Sequence, residues 1–114
     1  AGSLSEVEGH YRKLSGQFGY TILPPEALVN QVGYFLLRDG KTNEAIEAFT
    51  KNTEFYPNSA NVYDSLGEAY EKADRLKAAR ENYEKAYKLA GQQNEAELAR
   101  LFKASLDRVL TKLK

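Results

Sequence analysis

The 114-residue chain contains no cysteine, no methionine and no tryptophan. Without Cys there are no disulfides, no thiolate metal ligands and no Cys nucleophile, and redox chemistry says nothing about the compartment. Without Met the chain reads as a processed protein or an excerpt of a longer one, and Ala1-Gly2-Ser3 has the composition of a cloning remnant. An excess of one charge is missing too, since 16 Lys and Arg balance 16 Asp and Glu. That argues against nucleic acid as the main ligand, because phosphate binding draws on surplus cations. It also argues against an acidic solvating tail. No run nears the ~18 apolar residues of a membrane span, and no charged-then-apolar leader opens the chain, so no membrane insertion is expected. What is present, 42% hydrophobic and 28% charged residues, has the balance of a globular domain rather than a disordered one. At this length the expectation is one domain with one modest core.

Proline is confined to positions 24, 25 and 57, and the rest reads as helix. Leu4, Val7, Tyr11, Leu14 and Phe18 step by three and four, which is one apolar stripe at helical period. Ser5 followed by Glu8 predicts a capping box, and Gly16 and Gly19 predict the end of that helix. Tyr20 to Leu23 reads as an extended strap, because a residue before proline is pushed out of the helical region. Pro25 suits the first turn of the next helix.

From there the chain repeats itself. Gly33 and Gly67, Ala45 and Ala79, and Phe49 and Tyr83 are each 34 residues apart. A 34-residue period is the sign of a helix–turn–helix solenoid. One copy reads Val29, Val32, Gly33, Leu36, Ala45, Phe49, Pro57; the other reads Tyr63, Leu66, Gly67, Tyr70, Ala79, Tyr83, Ala86, Gly91. This resembles the tetratricopeptide pattern. Small residues let two antiparallel helices approach, and large apolar ones fill the space to the next pair. Two positions depart from the pattern. Asn52 stands where a small residue is usual, and Asp74 replaces Gly40, so the second turn is expected to differ in shape. After Gly91, Leu98, Leu101, Phe102, Ser105, Val109, Leu110 and Leu113 predict a capping helix with charges outside.

The expected fold is therefore all-α, a tetratricopeptide-like solenoid with helices near 4–17, 25–38, 43–55, 60–72, 76–90 and 94–112. Its organisation would be an N-terminal helix and strap over 1–23, two repeats within 24–91 (about 26–59 and 60–93) and a capping helix over 92–114. The N-terminal helix covers the open end at Leu28, Val29 and Val32, either in its own chain or in a neighbour by exchange. The first avoids the cost of association and is favoured. Gly67 should sit where helices cross, with no room for a side chain.

Catalytic chemistry finds little support. Gly40-Lys41-Thr42 matches the tail of a phosphate loop, but Phe35 stands where the motif needs its first glycine. His10 is the lone histidine; with Glu6 it makes a surface pair rather than a metal site. No Gly-x-Ser-x-Gly occurs, and Ser65 lies mid-helix. Glu44 with Glu47 and Glu68 with Glu71 read as solvated helix faces. No catalytic, metal or cofactor site is expected. The family resemblance does imply a groove. Tyr34 takes a groove-facing place of the first repeat, with Asn30, Arg38, Asp64, Glu68 and Glu71 on the same face as candidate binding residues. The carboxylate clamp of chaperone-binding repeats would fall on Asn30, Tyr34 and Ser65, where its cations are missing.

A closer resemblance lies in His10-Tyr-Arg-Lys-Leu-Ser, Phe18-Gly-Tyr, Pro24-Pro-Glu-Ala-Leu-Val-Asn-Gln-Val-Gly-Tyr and Tyr56-Pro-Asn-Ser-Ala-Asn-Val-Tyr-Asp-Ser-Leu-Gly-Glu-Ala-Tyr. Across roughly residues 8 to 90 these look like the C-terminal segment of bacterial serine hydrolases, best the α/β-hydrolase esterases related to siderophore esterases. Some penicillin-binding or β-lactamase-like hydrolases end similarly. The resemblance implies an accessory helical module, in the cytoplasm or exported with its parent, and carries over no catalytic residue. The expected function is a non-catalytic interaction module that binds a protein or peptide, its own hydrolase domain or a second copy. The alternatives are a small hydrolase centred on Glu68 and Glu71 or on His10, and a purely structural spacer.

Overall fold

The computed structural model describes residues 3–114. Ala1 and Gly2, read above as part of a cloning remnant, lie outside the described residues. Six helices follow in order: α1 (Leu4–Phe18), α2 (Glu26–Arg38), α3 (Thr42–Phe55), α4 (Ala60–Lys72), α5 (Leu76–Gln92) and α6 (Ala96–Lys112). No strand forms among the described residues. The molecule is elongated, 50 × 33 × 18 Å.

The repeat glycines act through the aromatic ring they admit. A Cβ on Gly67 would come within 2.8 Å of the Tyr83 ring, and one on Gly33 would overlap the Phe49 ring. Each helix pair, α2 with α3 and α4 with α5, therefore closes on a fully buried aromatic seated against a glycine. Val32, Leu36, Ala45, Ala48, Phe49, Leu66 and Ala69 join the two pairs into one core. The capping helix adds Phe102 against Ala60, Ala86 and Ala90, and Leu106 with Val109 against Ala79 and Tyr83.

Several details differ from the sequence reading. The cap of α1 is Ser3, whose side chain accepts from the Glu6 amide at 3.2 Å, not Ser5 paired with Glu8. Gly16 continues that helix, and Gly19 alone ends it at φ 74°. Pro25 is the cap of α2 rather than its first residue. Asp74 does not reshape the second turn: it adopts φ 59° beside 80° for Gly40. The next amide closes the same long bond in both turns, Lys41 N to Leu36 O and Arg75 N to Tyr70 O, each 2.9 Å. Asn94, also at φ 59°, repeats the device before α6. The short polar side chains of Asp and Asn are those that visit this region most readily after glycine. Asn52 is fully buried; its amide nitrogen donates to the Glu26 carbonyl at 3.1 Å, tying α3 to the start of α2, while its Oδ1 has no partner.

The two end helices depart from their expected stripes. On α6 the buried set is Phe102, Leu106 and Val109, while Leu101 and Leu110 are exposed. On α1 no residue is fully buried. Leu4 and Val7 pack on the core of the first repeat, but Phe18 at the far end is 60% exposed. The strap returns the chain through Ser15, whose hydroxyl accepts from the Ile22 amide at 2.7 Å. Within this chain α1 folds back onto its own repeats.

Candidate functional site

Helical period decides which side chains share the face formed by α2 and α4. Asn30 and Tyr34 are one turn apart on α2, and Asp64 and Glu68 are one turn apart on α4. Each of the first pair precedes its counterpart by 34 residues, so the same register recurs on both helices. The Tyr34 ring meets the Phe49 ring edge-on at 5.0 Å. Its hydroxyl crosses to α4 and donates to Ser65 Oγ at 3.1 Å. Ser65, mid-helix and buried, thus receives a bond from the neighbouring repeat. Arg38, the remaining candidate on α2, is exposed in the last turn and joins none of these bonds.

Glu71 is no solvated carboxylate. Its side chain is only 12% exposed and accepts four hydrogen bonds from three side chains. Tyr83 donates at 2.8 Å, Arg108 donates from Nε at 2.9 Å and from an amino nitrogen at 2.7 Å, and Lys112 donates at 2.7 Å. The bidentate guanidinium is the strong form of this contact. These donors, the Arg108 guanidinium foremost, hold the Glu71 carboxyl down at about 2. Arg108 and Lys112 are one turn apart on α6 and were hidden in sequence among the charges of the capping helix. Their spacing was the available signal, but nothing in the sequence aimed it at Glu71. With Glu68 and Lys72 these residues line a cleft of about 370 Å³.

The carboxylates on the preceding turns are treated differently. Burial pushes the Asp64 carboxyl up to about 7, with the Glu68 charge adding and Arg108 only partly offsetting. Burial likewise raises Glu68, against the lowering effects of Tyr34 and Arg108. The Tyr34 and Tyr83 phenols are both raised, chiefly by burial, and stay protonated donors. Among the described residues, no group of three or more His, Asp or Glu side chains is placed to hold a metal ion. His10 is exposed and meets Tyr11 edge-on at 5.1 Å. Gly40-Lys41-Thr42 is the turn between α2 and α3.

A tetratricopeptide repeat family model matches residues 25–92, more than half of the chain. The chain belongs to the tetratricopeptide repeat family. The matched span holds α2 to α5 and the polar face that α2 and α4 share. No curated protein sequence matches the chain. No helix among the described residues is long and apolar enough to cross a membrane.

Proposed function

We propose that this tetratricopeptide domain is a non-catalytic protein-interaction module whose inner face, formed by α2 and α4 and bordered by α6, receives a polypeptide. Residues 24–91 supply the repeats, with 1–23 and 92–114 closing their two ends. Repeats of this family commonly mediate protein–protein binding, and such domains are generally non-catalytic. One observation carries the assignment to this face. Asn30, Tyr34, Asp64 and Glu68 are half-buried polar groups in a repeated register, where packing alone would favour apolar residues. Arg38 and Glu71 flank them, the first as an exposed cation and the second as the anchor of α6.

A photo-crosslinking phenylalanine analogue in place of Tyr34 tests this reading. It should trap a polypeptide that the same analogue at exposed Glu84 on α5 does not. Equal trapping at both positions, or none at Tyr34, would remove the inner face from consideration.

The resemblance of residues 8 to 90 supports a finer reading, an accessory module of a bacterial serine hydrolase, with that enzyme's own domain as the polypeptide. The coding sequence upstream of Ser3 decides it. A Gly-x-Ser-x-Gly elbow there supports the hydrolase parent, and an unrelated domain there dismisses it.

A further inference from the structure

The seat of α1 on the first repeat is incompletely filled. Leu4 and Val7 pack on the core, yet no residue of α1 is fully buried. Two hollows flank the helix on its α3 side, with Glu8 bordering both. One, of about 370 Å³, lies beside Leu4, Ile46 and Thr50; the other, of about 270 Å³, lies between Tyr11, Phe55 and the strap. Gly9 and Gly16 sit inside α1 and weaken it as a helix. A Cβ at either would meet nothing within 4 Å, so close packing does not require them. The helix is therefore held by few contacts that resist its opening.

The hinge carries an independent sign. Phe18, Tyr20 and Leu23 are exposed by 60%, 65% and 40%, with the first two rings 6.2 Å apart. Large apolar side chains gathered on one exposed patch mark an interaction surface. The far end of the strap is fixed, because the Tyr56 hydroxyl donates to the Pro24 carbonyl at 2.7 Å. Gly19 turns the chain back at φ 74°. Residues 19–21 are thus the segment about which α1 can swing.

We propose that two copies of this chain exchange α1, each helix seating on the first repeat of the other, and that the two hinges meet through Phe18, Tyr20 and Leu23. The occupant follows from fit: α1 is the helix this seat receives, and a second copy carries the same one. Leu4 and Val7 pack between chains as they do within one, and Ser15 takes the Ile22 amide across the exchange. These contacts cancel between the two states. The balance lies between the freedom lost on association and the apolar surface covered at the hinges. Charge does not oppose the meeting, since Glu6 and Glu8 balance Arg12 and Lys13 over α1 and the strap. The closed monomer is the dilute state, and the face shared by α2 and α4 takes no part in the exchange.

Sedimentation velocity of the full chain should show monomer passing to dimer with a midpoint on the order of 100 μM. The absence of native cysteine allows single labels. Chains carrying a donor at Glu6→Cys are mixed with chains carrying an acceptor at Glu47→Cys, both exposed positions and the second beside the larger hollow. Energy transfer in the dimer should match that of one dilute chain bearing both labels. The F18S/Y20S variant should move the midpoint about tenfold or more to higher concentration, with its dilute fold kept. Gly19→Val should move it about fivefold or more the other way, because a β-branched residue resists the left-handed turn of the closed form. A monomer at every concentration, or a dimer whose transfer stays well below the single-chain value, would overturn the proposal. So would a midpoint that F18S/Y20S leaves unchanged.

Discussion

The two halves of the cover teach different things about how a short solenoid is closed. At one end α6 inserts Phe102, Leu106 and Val109 into the second repeat and clamps Glu71 with two cations. At the other end α1 buries no side chain completely and is tied mainly by Leu4, Val7 and the Ser15–Ile22 bonds. Both helices are amphipathic, so amphipathicity does not by itself measure attachment. What separates them is where the large apolar residues land. Those of α6 reach the aromatic–glycine contact of the second repeat, while α1 ends in Phe18 and Tyr20, exposed by 60% and 65%. Local stability follows buried apolar contact, so α6 should open with the repeats and α1 before them.

The sharpest way to break the α6 end is Tyr83→Ala. Tyr83 is fully buried, fills the space beside Gly67, contacts the α6 cluster and donates to Glu71. Its removal leaves a cavity and frees one bond of the clamp. The expected loss is about 3–5 kcal/mol, read by urea unfolding. A loss below about 1 kcal/mol would mean that α6 and α5 re-pack without the ring.

Glycines compare the same two regions with one chemical change. Gly67→Ala places a methyl 2.8 Å from the Tyr83 ring, and Gly33→Ala drives one into Phe49. Each should cost about 1–3 kcal/mol. Gly16→Ala meets nothing within 4 Å, and the position lies inside α1. There the helix propensity of Ala should stabilise α1 by about 0.5–1 kcal/mol. Opposite signs in the melting temperatures are the expected outcome, and a destabilising Gly16→Ala would show that α1 packs more tightly than its exposure implies.

Legibility in the sequence tracked the same divide. The 34-residue spacing of Gly33 with Gly67 and Phe49 with Tyr83 exposed the repeats, because a glycine admitting a ring is a local steric need written in residue type. All six helices were visible from periodicity and proline placement. The turn at Asp74 was misjudged because the bond from Arg75 N to Tyr70 O, rather than residue type alone, stabilises the left-handed turn. Which apolar residues of α1 and α6 face inward was only half legible, since the stripe of an end helix has a partner on one side. The groove was implied only by the family resemblance; that Asn30 shares a face of α2 with Tyr34, and Asp64 a face of α4 with Glu68, was readable from helical register. The Glu71 clamp was not, because Arg108 and Lys112 lie 37 and 41 residues away in sequence.

Acid should discriminate between the α6 clamp at Glu71 and the unclamped carboxyl of Asp64 on the same helix. The Glu71 carboxyl lies below its ordinary range, at about 2, so its contribution is fully present above the unfolded value near 4. It is lost as pH falls from about 4.5 toward 2. Asp64 works in the opposite sense. Its folded value of about 7 lies above the unfolded one, so its contribution is full below about 4 and fades as pH rises toward 7. Glu71→Gln should therefore cost about 1–3 kcal/mol at neutral pH and flatten the acid limb of stability. Asp64→Asn should stabilise at neutral pH, on the order of 1 kcal/mol, and do little near pH 4. Urea midpoints across this range measure both, and matching pH profiles for the two variants would contradict the opposite environments assigned to these carboxyls.

The smallest effect belongs to the loose end. Phe18 and Tyr20 sit 6.2 Å apart, centroid to centroid, where α1 gives way to the strap. Both are mostly exposed, so replacing them together with Ser removes little buried area from the folded chain. Gly19, which ends the helix between them at φ 74°, is left in place, so the turn itself is preserved. The F18S/Y20S variant should keep its stability within about 0.5 kcal/mol of the parent, as surface substitutions do. Hydrogen exchange adds the comparison that stability alone misses. Amides of α1 should exchange faster than those of α4 in both proteins, since few buried contacts resist its opening. A loss well beyond 0.5 kcal/mol would show that the aromatic pair holds α1 to the repeats, and would erase the contrast between a clamped and a lightly docked end.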